Sequence, residues 1–423
     1  MIDYDGCFSR AAGTMQESAI RKMGGMAGRV PDLISFAPGF PAPEMFAWEE
    51  FRDVAQSLLT GSDPTVLQYG ATRGYRPLVE ALTQILADRG ITAAFENLMV
   101  TTGSQQALDL TARVFIDPGS VVLVELPTYT GGITAFNNSQ ATLVGVRQDT
   151  DGIDLEDLDR VAARERAAGR RIAFLYLVPN FQNPTGLLLS QEKRRRLLEW
   201  AAQRNVLIVE DDPYGALHFD DVASAADTRP IKADDREGRV VYISSFSKTV
   251  APGFRVAWIA APLPIVAKLE VAKQAADLCT GGLDQRIIFE VWQRGILASR
   301  LPALRSCYQE RRTAMVQALR RELGDLVSWP EPKGGFFLWT AFPEQVNTDA
   351  LLTRAVARAV VYVAGSAFYV DGRSSNLARL AFSAAPPARI DEGVRRLAAA
   401  VREELDAARA SELSAPSAQG RPA

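Results

Sequence analysis

The chain has 423 residues, too many for one small core, so two domains or a large domain with a smaller attachment are expected. It carries 47 basic and 50 acidic residues for a net charge of -3, which offers no overall field for nucleic acid or an anionic membrane. The scattered Cys7, Cys279 and Cys307 exclude a disulfide framework and a CxxC metal site, and His218, the single histidine, excludes most histidine-based triads.

From the N-terminus, "MIDYDGCFSR" has acids and no long apolar core, so no secretory signal is expected. No apolar run approaches the roughly 18 residues needed to span a bilayer, and a soluble, cytoplasmic protein is expected. Residues 1–50 lack strong periodicity and are expected to pack against a smaller C-terminal unit or a partner subunit. Residues 51–300 then form a large domain. Its apolar runs read as buried strands: "NLMVTT" (97–102), "SVVLVE" (120–125), "RIAFLYLV" (171–178), "NVLIVED" (205–211), "RVVYISS" (239–245) and "RVAWIAA" (255–261). Helical patterns such as "SQQALDLTARVF" and "SQEKRRRLLEWAAQRN" lie between them, which argues for an α/β fold with a mostly parallel sheet. The "KRRR" at 193–196 reads as a solvated helix face. Beyond residue 300 a long helical stretch leads to "GGFFLWTAF" and "LARLAFSAA", strands of a smaller α+β domain over 301–407. The small, polar residues 408–423 read as a disordered tail.

Ligands of open α/β sheets lie beyond the carboxyl ends of the strands, and several polar segments fall there. In "TTGSQQALDL" (101–110) Gly103 permits a tight turn, and Ser104 and Gln105 open a helix whose N-terminus suits an anion; an ordinary N-cap by Ser104 is the other reading. "QNPTG" (182–186) is a plain turn or a means of aiming Asn183 into the crevice. "EDDPYG" (210–215) sets Asp211 at a strand end, where a buried carboxylate needs a partner; a protonated ring nitrogen would serve, a metal or an N-cap being alternatives. "SSFSKTVAPGFRVAW" (244–258) places Lys248 beside Ser245 and Ser247 and seven residues before Arg255, as a Schiff base next to a phosphate requires; alone, it also fits a surface lysine. With Tyr129 after "LPT", the set matches what pyridoxal phosphate needs: a phosphate cradle, a stacking ring, a donor to its phenolate, an acid for its pyridinium and a lysine for its aldehyde.

On these motifs, in this order, the chain resembles the fold-type I pyridoxal-phosphate aminotransferases of class I/II, in particular the 2-aminoadipate/kynurenine branch, from "MQESAIRKM" to "NLARLAFS". The resemblance implies a seven-stranded, mostly parallel sheet between helices. It implies that Lys248 binds the cofactor aldehyde and shuttles the substrate proton, Asp211 pairs with the ring nitrogen, Asn183 and Tyr214 bond the phenolic oxygen, and Tyr129 stacks on the ring. Ser104, Gln105, Ser245, Ser247 and Arg255 become phosphate ligands, Tyr69 reaches the phosphate of the other subunit of a homodimer, and Arg379 with Gly39 holds the substrate α-carboxylate. Arg21 matches a segment that closes over substrate and whose arginine can meet a distal carboxylate; a helix-surface arginine, or a lid that serves apolar substrates as well, are the other readings. The branch often has Gly-Gly-Leu-Pro where this chain has Pro38-Gly39-Phe40-Pro41; the stiffer loop and Phe40 favour aromatic or branched-chain donors. The implied reaction moves an amino group from an L-amino acid to a 2-oxo acid such as 2-oxoglutarate by ping-pong steps. A lyase or decarboxylase on the same scaffold and a non-catalytic cofactor-binding sensor are the alternatives. The sensor reading is weakened because no helix-turn-helix module is recognised, and an oxidoreductase because no GxGxxG follows a strand.

Overall fold

A computed structural model describes residues 2, 4–15, 30–222, 225–373 and 376–414. The chain enters through β1 (Ile34–Ser35), then β2 (Leu98–Thr102), β3 (Val121–Leu126), β4 (Thr142–Asp149) and β5 (Gly152–Ile153). Next come β6 (Ile172–Leu177), β7 (Leu207–Asp211), β8 (Val240–Ser245) and β9 (Val256–Ala260). The last four are β10 (Phe337–Ala341), β11 (Val360–Val361), β12 (Val363–Ala364) and β13 (Leu377–Ala381).

The central sheet runs β2-β9-β8-β7-β6-β3-β4-β5. Pairs β8-β7, β7-β6, β6-β3 and β3-β4 are parallel, and β2-β9, β9-β8 and β4-β5 antiparallel. The expected seven strands are therefore eight, the addition being the two residues of β5 paired with Gln148 and Asp149. All six apolar runs are strands. They were legible because helices cover both faces: Val122, Phe174, Val209 and Val241 enter one core, and Val121, Leu175, Ile208 and Val240 the other. Strand β4 was not, because most of "TLVGVRQD" is half-buried and polar residues interrupt the run.

The "KRRR" expectation is corrected at one position. Within the helix Gln191–Arg204, Arg194 is buried and donates to the carbonyls of Leu189, Pro179 and Arg229 and to Asn180 Oδ1, at 2.8–3.0 Å. It fastens the end of β6 from beneath the crevice. The C-terminal unit is a three-stranded antiparallel sheet, β10-β13-β12, against the helices Ile296–Leu323 and Pro387–Ser414. The N-terminal segment joins it: Ile34 and Ser35 pair in parallel with Val360 and Val361. The last helix continues through Ser414, so the first residues of the expected tail are helical, and 415–423 lie outside the described residues. No helix among the described residues is long and apolar enough to cross a membrane.

Candidate active site

Strands β6, β7 and β8 run parallel and end together, and the chain leaving each one carries chemistry. β7 ends in Asp211, 2% exposed. Tyr176 of β6 donates to its Oδ2 at 2.9 Å. Burial pushes the Asp211 carboxyl up to about 7, against the Tyr176 hydrogen bond and with help from the Asp212 charge.

After β6 the "QNPTG" turn is held from both sides. The Gln182 side chain accepts from Thr185 N at 2.9 Å and Thr185 Oγ1 at 2.7 Å and donates to Pro127 O at 2.9 Å. Gly186 has φ +71°, and a Cβ there would lie 2.8 Å from the Phe337 carbonyl oxygen, so only glycine fits. The turn presents Asn183, whose Oδ1 accepts from Arg379 Nη1 at 2.8 Å and whose side chain also bonds the Tyr214 hydroxyl.

Arg379, on β13, is 1% exposed. Its Nη2 donates to Ala37 O, and its guanidinium lies 4.3 Å from the Phe337 ring centre and 5.0 Å from that of Phe368. Burial pulls it down to about 10, so it remains a cation at neutral pH. Lys248 follows β8, half-buried, with Nζ donating to Gly39 O at 2.9 Å and the rings of Phe336 and Tyr214 at 5.6 and 5.9 Å. Loss of water contact, then the Arg379 and Arg255 charges, push its amine down to about 8, while Asp211 acts the other way. Gly39 must be glycine: a Cβ would meet the Phe337 ring at 2.4 Å.

The Gly103 turn, Arg255 and the Ser245–Ser247 pair lie beside them. Gly103 has φ +77° and its missing Cβ would lie 2.1 Å from Arg255 Nη2, so the guanidinium rests against the turn that opens the helix Ser104–Phe115. Gln105 Nε2 donates to Gly131 O at 3.0 Å, and Gly131 leaves room for the Tyr129 ring, which a Cβ would meet at 2.4 Å. Ser245 and Ser247 are linked Oγ to Oγ at 2.8 Å, and Ser247 N donates to Ser245 Oγ at 2.9 Å.

Fourteen of the sixteen expected residues thus fall among the segments around this crevice, with Phe40 at its rim: the residue is 61% exposed while its carbonyl accepts from Ser383 Oγ at 2.7 Å. Tyr69 stands apart, 79% exposed. Arg21 lies outside the described residues. Sequence reasoning missed Tyr176, Phe336, Phe337 and Phe368. Tyr176 had a signal, a hydroxyl inside an otherwise apolar strand that must find a partner. The phenylalanines had none, since any buried apolar segment reads the same way.

Two buried polar atoms here, Asp211 Oδ1 and Arg379 Nε, have no hydrogen-bond partner among the described residues. An acceptor deep in the crevice suits a ring N–H, and a spare guanidinium donor suits a carboxylate. The donor set therefore fits pyridoxal phosphate with an amino acid. No group of His, Cys, Asp and Glu among the described residues gathers for a metal ion.

The family model "Aminotransferase class I and II" matches residues 39–397. The chain belongs to this family. It is an aminotransferase, and it is 40% identical to aromatic-amino-acid aminotransferase 1 of Thermococcus litoralis over 96% of both chains. A kynurenine aminotransferase structure from Pyrococcus horikoshii, in complex with PMP, KYN and KYA, superposes with a TM-score of 0.89 at 38% identity, covering 95% of this chain and 98% of that one. The alpha-aminoadipate aminotransferase of Thermus thermophilus, complexed with N-(5'-phosphopyridoxyl)-L-leucine, gives 0.87 at 37% identity, over 96% and 100%. The fold-type I expectation is met by these superpositions.

Proposed function

We propose that the protein is a pyridoxal 5'-phosphate-dependent aminotransferase that passes the amino group of an aromatic or branched-chain L-amino acid to 2-oxoglutarate in two half-reactions. The observation that carries this reading is the convergence of Lys248, Asp211 and Arg379 on one crevice with an unpartnered acceptor at its floor. Gly103, Ser104, Gln105, Ser245, Ser247 and Arg255 would hold the phosphate, Tyr129 the ring face, Asn183 and Tyr214 the phenolic oxygen, and Asp211 the ring nitrogen. When bound, the cofactor supplies an aldehyde that condenses with amines and a ring that takes up carbanion charge.

The chain's own residues do the rest. Arg379 offers a planar fork to the α-carboxylate, pre-set by Asn183 and Ala37 and clamped between the Phe337 and Phe368 rings. Lys248 Nζ, shifted to about 8, has a sizeable neutral fraction at pH 7–8 and can accept the Cα proton and return it. In the cofactor-free chain the Gly39 carbonyl holds that amine in the crevice. Phe40 lines the entrance with apolar surface, which favours aromatic and branched-chain donors over acidic ones. A 2-aminoadipate donor would instead rely on Arg21 for its distal carboxylate.

Exposed Trp48, Leu67 and Tyr69 support a homodimer in which Tyr69 of each copy completes the other's phosphate site. Three cysteines, none of them in a disulfide among the described residues, suit a reducing, cytoplasmic setting.

Visible spectra of the cofactor-loaded protein with phenylalanine, leucine, 2-aminoadipate and glutamate added singly test the reading. Conversion of the bound band by a donor and its return with 2-oxoglutarate are expected, fastest with phenylalanine or leucine. A band that no donor converts would favour the lyase or sensor. No band at all would remove Lys248 from its role.

A further inference from the structure

We propose that Tyr176 is a positioning residue that keeps the Asp211 carboxylate ionised and aimed at the ring nitrogen of the bound cofactor. The inference rests on the reading of Asp211 above and adds a residue to it. Tyr176 sits near the carboxyl end of β6, fully buried, paired in register with Val209 two residues before Asp211. Its ring has one place to go. Phe136 meets it edge-on at 5.2 Å, and Gly132 leaves the space it fills, since a Cβ there would lie 2.9 Å from the ring. The hydroxyl so held donates to Asp211 Oδ2 at 2.9 Å, which leaves Oδ1 as the unpartnered acceptor.

The polarity of this bond is fixed. Burial and the charges of Asp211, Tyr129 and Glu125 raise the phenol far above its ordinary range, so Tyr176 remains a donor at every working pH. The charge of the adjacent Asp212, across the strand, favours protonation of Asp211, and that of Lys248 opposes it; Tyr214 also lies close enough to sense its charge. Among these, Tyr176 is the group that hydrogen-bonds the carboxylate directly. Without it a buried carboxylate would take the proton for itself, and the ring nitrogen would lose it. A hydrogen bond to a charged group is worth on the order of one to two pKa units, enough to decide where that proton rests when the carboxyl sits near neutrality.

The test is the nitrogen signal of cofactor labelled with nitrogen-15 at the ring, bound to wild type, Tyr176→Phe, Gly132→Ala and Asp211→Asn. Wild type should show a protonated ring nitrogen. Tyr176→Phe should move the signal toward the free-base position and lower kcat about tenfold, equivalent to one pH unit, with little change in KM. Gly132→Ala, which displaces the ring without touching the hydroxyl, should move it the same way and guards against a folding failure of the first variant. A protonated wild-type signal unchanged in both Tyr176→Phe and Gly132→Ala overturns the role of Tyr176 and leaves Asp211 in place. A wild-type signal already at the free-base position, or one that Asp211→Asn does not alter, overturns the Asp211 reading and the proposal with it.

Discussion

Replacing Gly103 by alanine probes the phosphate cradle without touching any group that donates or accepts a proton. Gly103 has φ 77° and ψ 163°, a backbone region open essentially to glycine alone. Holding alanine there costs on the order of 1–3 kcal/mol. The new Cβ would sit 2.1 Å from Arg255 Nη2 and 2.7 Å from Cζ, so the guanidinium must leave. Arg255 is itself in the left-handed region at φ 54°, which restricts how it retreats. Loss of a charge-assisted bond to phosphate costs roughly 1.5–3 kcal/mol, a weakening of cofactor affinity of about ten- to a hundredfold. Titration of the cofactor-free variant with pyridoxal phosphate, followed by the visible band, measures this, and thermal unfolding of the same sample measures the backbone strain. The reasoning predicts both losses. A Kd within twofold of wild type would show that Arg255 does not hold the phosphate, whatever the stability does.

Three further outcomes follow from the same geometry. Arg379→Lys should raise the KM for the amino donor by about ten- to a hundredfold in steady-state kinetics, because a single ammonium replaces the two-pronged fork and abandons Asn183 or Ala37; an unchanged KM would mean that the carboxylate binds elsewhere. Asp211→Asn should stabilise the cofactor-free protein at pH 8 while weakening cofactor binding. The folded pKa near 7 lies above the ordinary carboxyl value of 3.8, so the stability this group contributes is full below pH 3.8 and is lost as pH rises through 7. Denaturant melts at pH 4 and pH 8 should therefore show the gain only at the higher pH; an equal gain at both would contradict the shift. Gly186→Ala should lower stability by roughly 1–3 kcal/mol in the same melts, since its Cβ would press on the Phe337 carbonyl at a positive φ; a neutral effect would show that the turn can shift away from β10.

The fold was largely legible because its sheet is covered on both faces, which turns strands into unbroken apolar runs. What escaped were elements whose residues owe their state to partners far away in sequence. Val360 and Val361 become a strand only by pairing with Ile34 and Ser35. Gly152 and Ile153 do so by pairing with the end of β4. Arg194 looked like one more basic residue on a helix because a solvated arginine and one bound to four oxygens have the same letter. The crevice residues were readable in proportion to how much backbone constraint surrounds them. Gly103, Gly186 and Asn183 come with turns that leave a mark in the sequence, whereas Phe337 and Phe368 act through ring faces, and nothing local distinguishes a phenylalanine that clamps an arginine from one that fills a core.

The three consecutive acids at the end of β7 show how strand geometry assigns roles that composition leaves open. Side chains alternate across a strand, so Glu210 and Asp212 share one face and Asp211 takes the other. On the first face every demand is met internally. Glu210 accepts from Ile231 N and Lys232 N at 2.8 and 2.9 Å, and Asp212 accepts from Arg89, Tyr242, Asn180 and Gly215 at 2.9–3.0 Å. Those two carboxylates fasten the sheet to its surroundings, although burial and the Asp212 charge push Glu210 up to about 7 against the Arg194 charge and its two backbone hydrogen bonds. Asp211 alone is left with one donor and one empty oxygen. A buried carboxylate in that state is unfavourable for the folded chain by itself and becomes favourable only when a cation completes it. The carboxylate left with an unpartnered oxygen is thus also the one whose deficit a protonated ring would fill, which ties cofactor affinity and cofactor-dependent stability to the same atom.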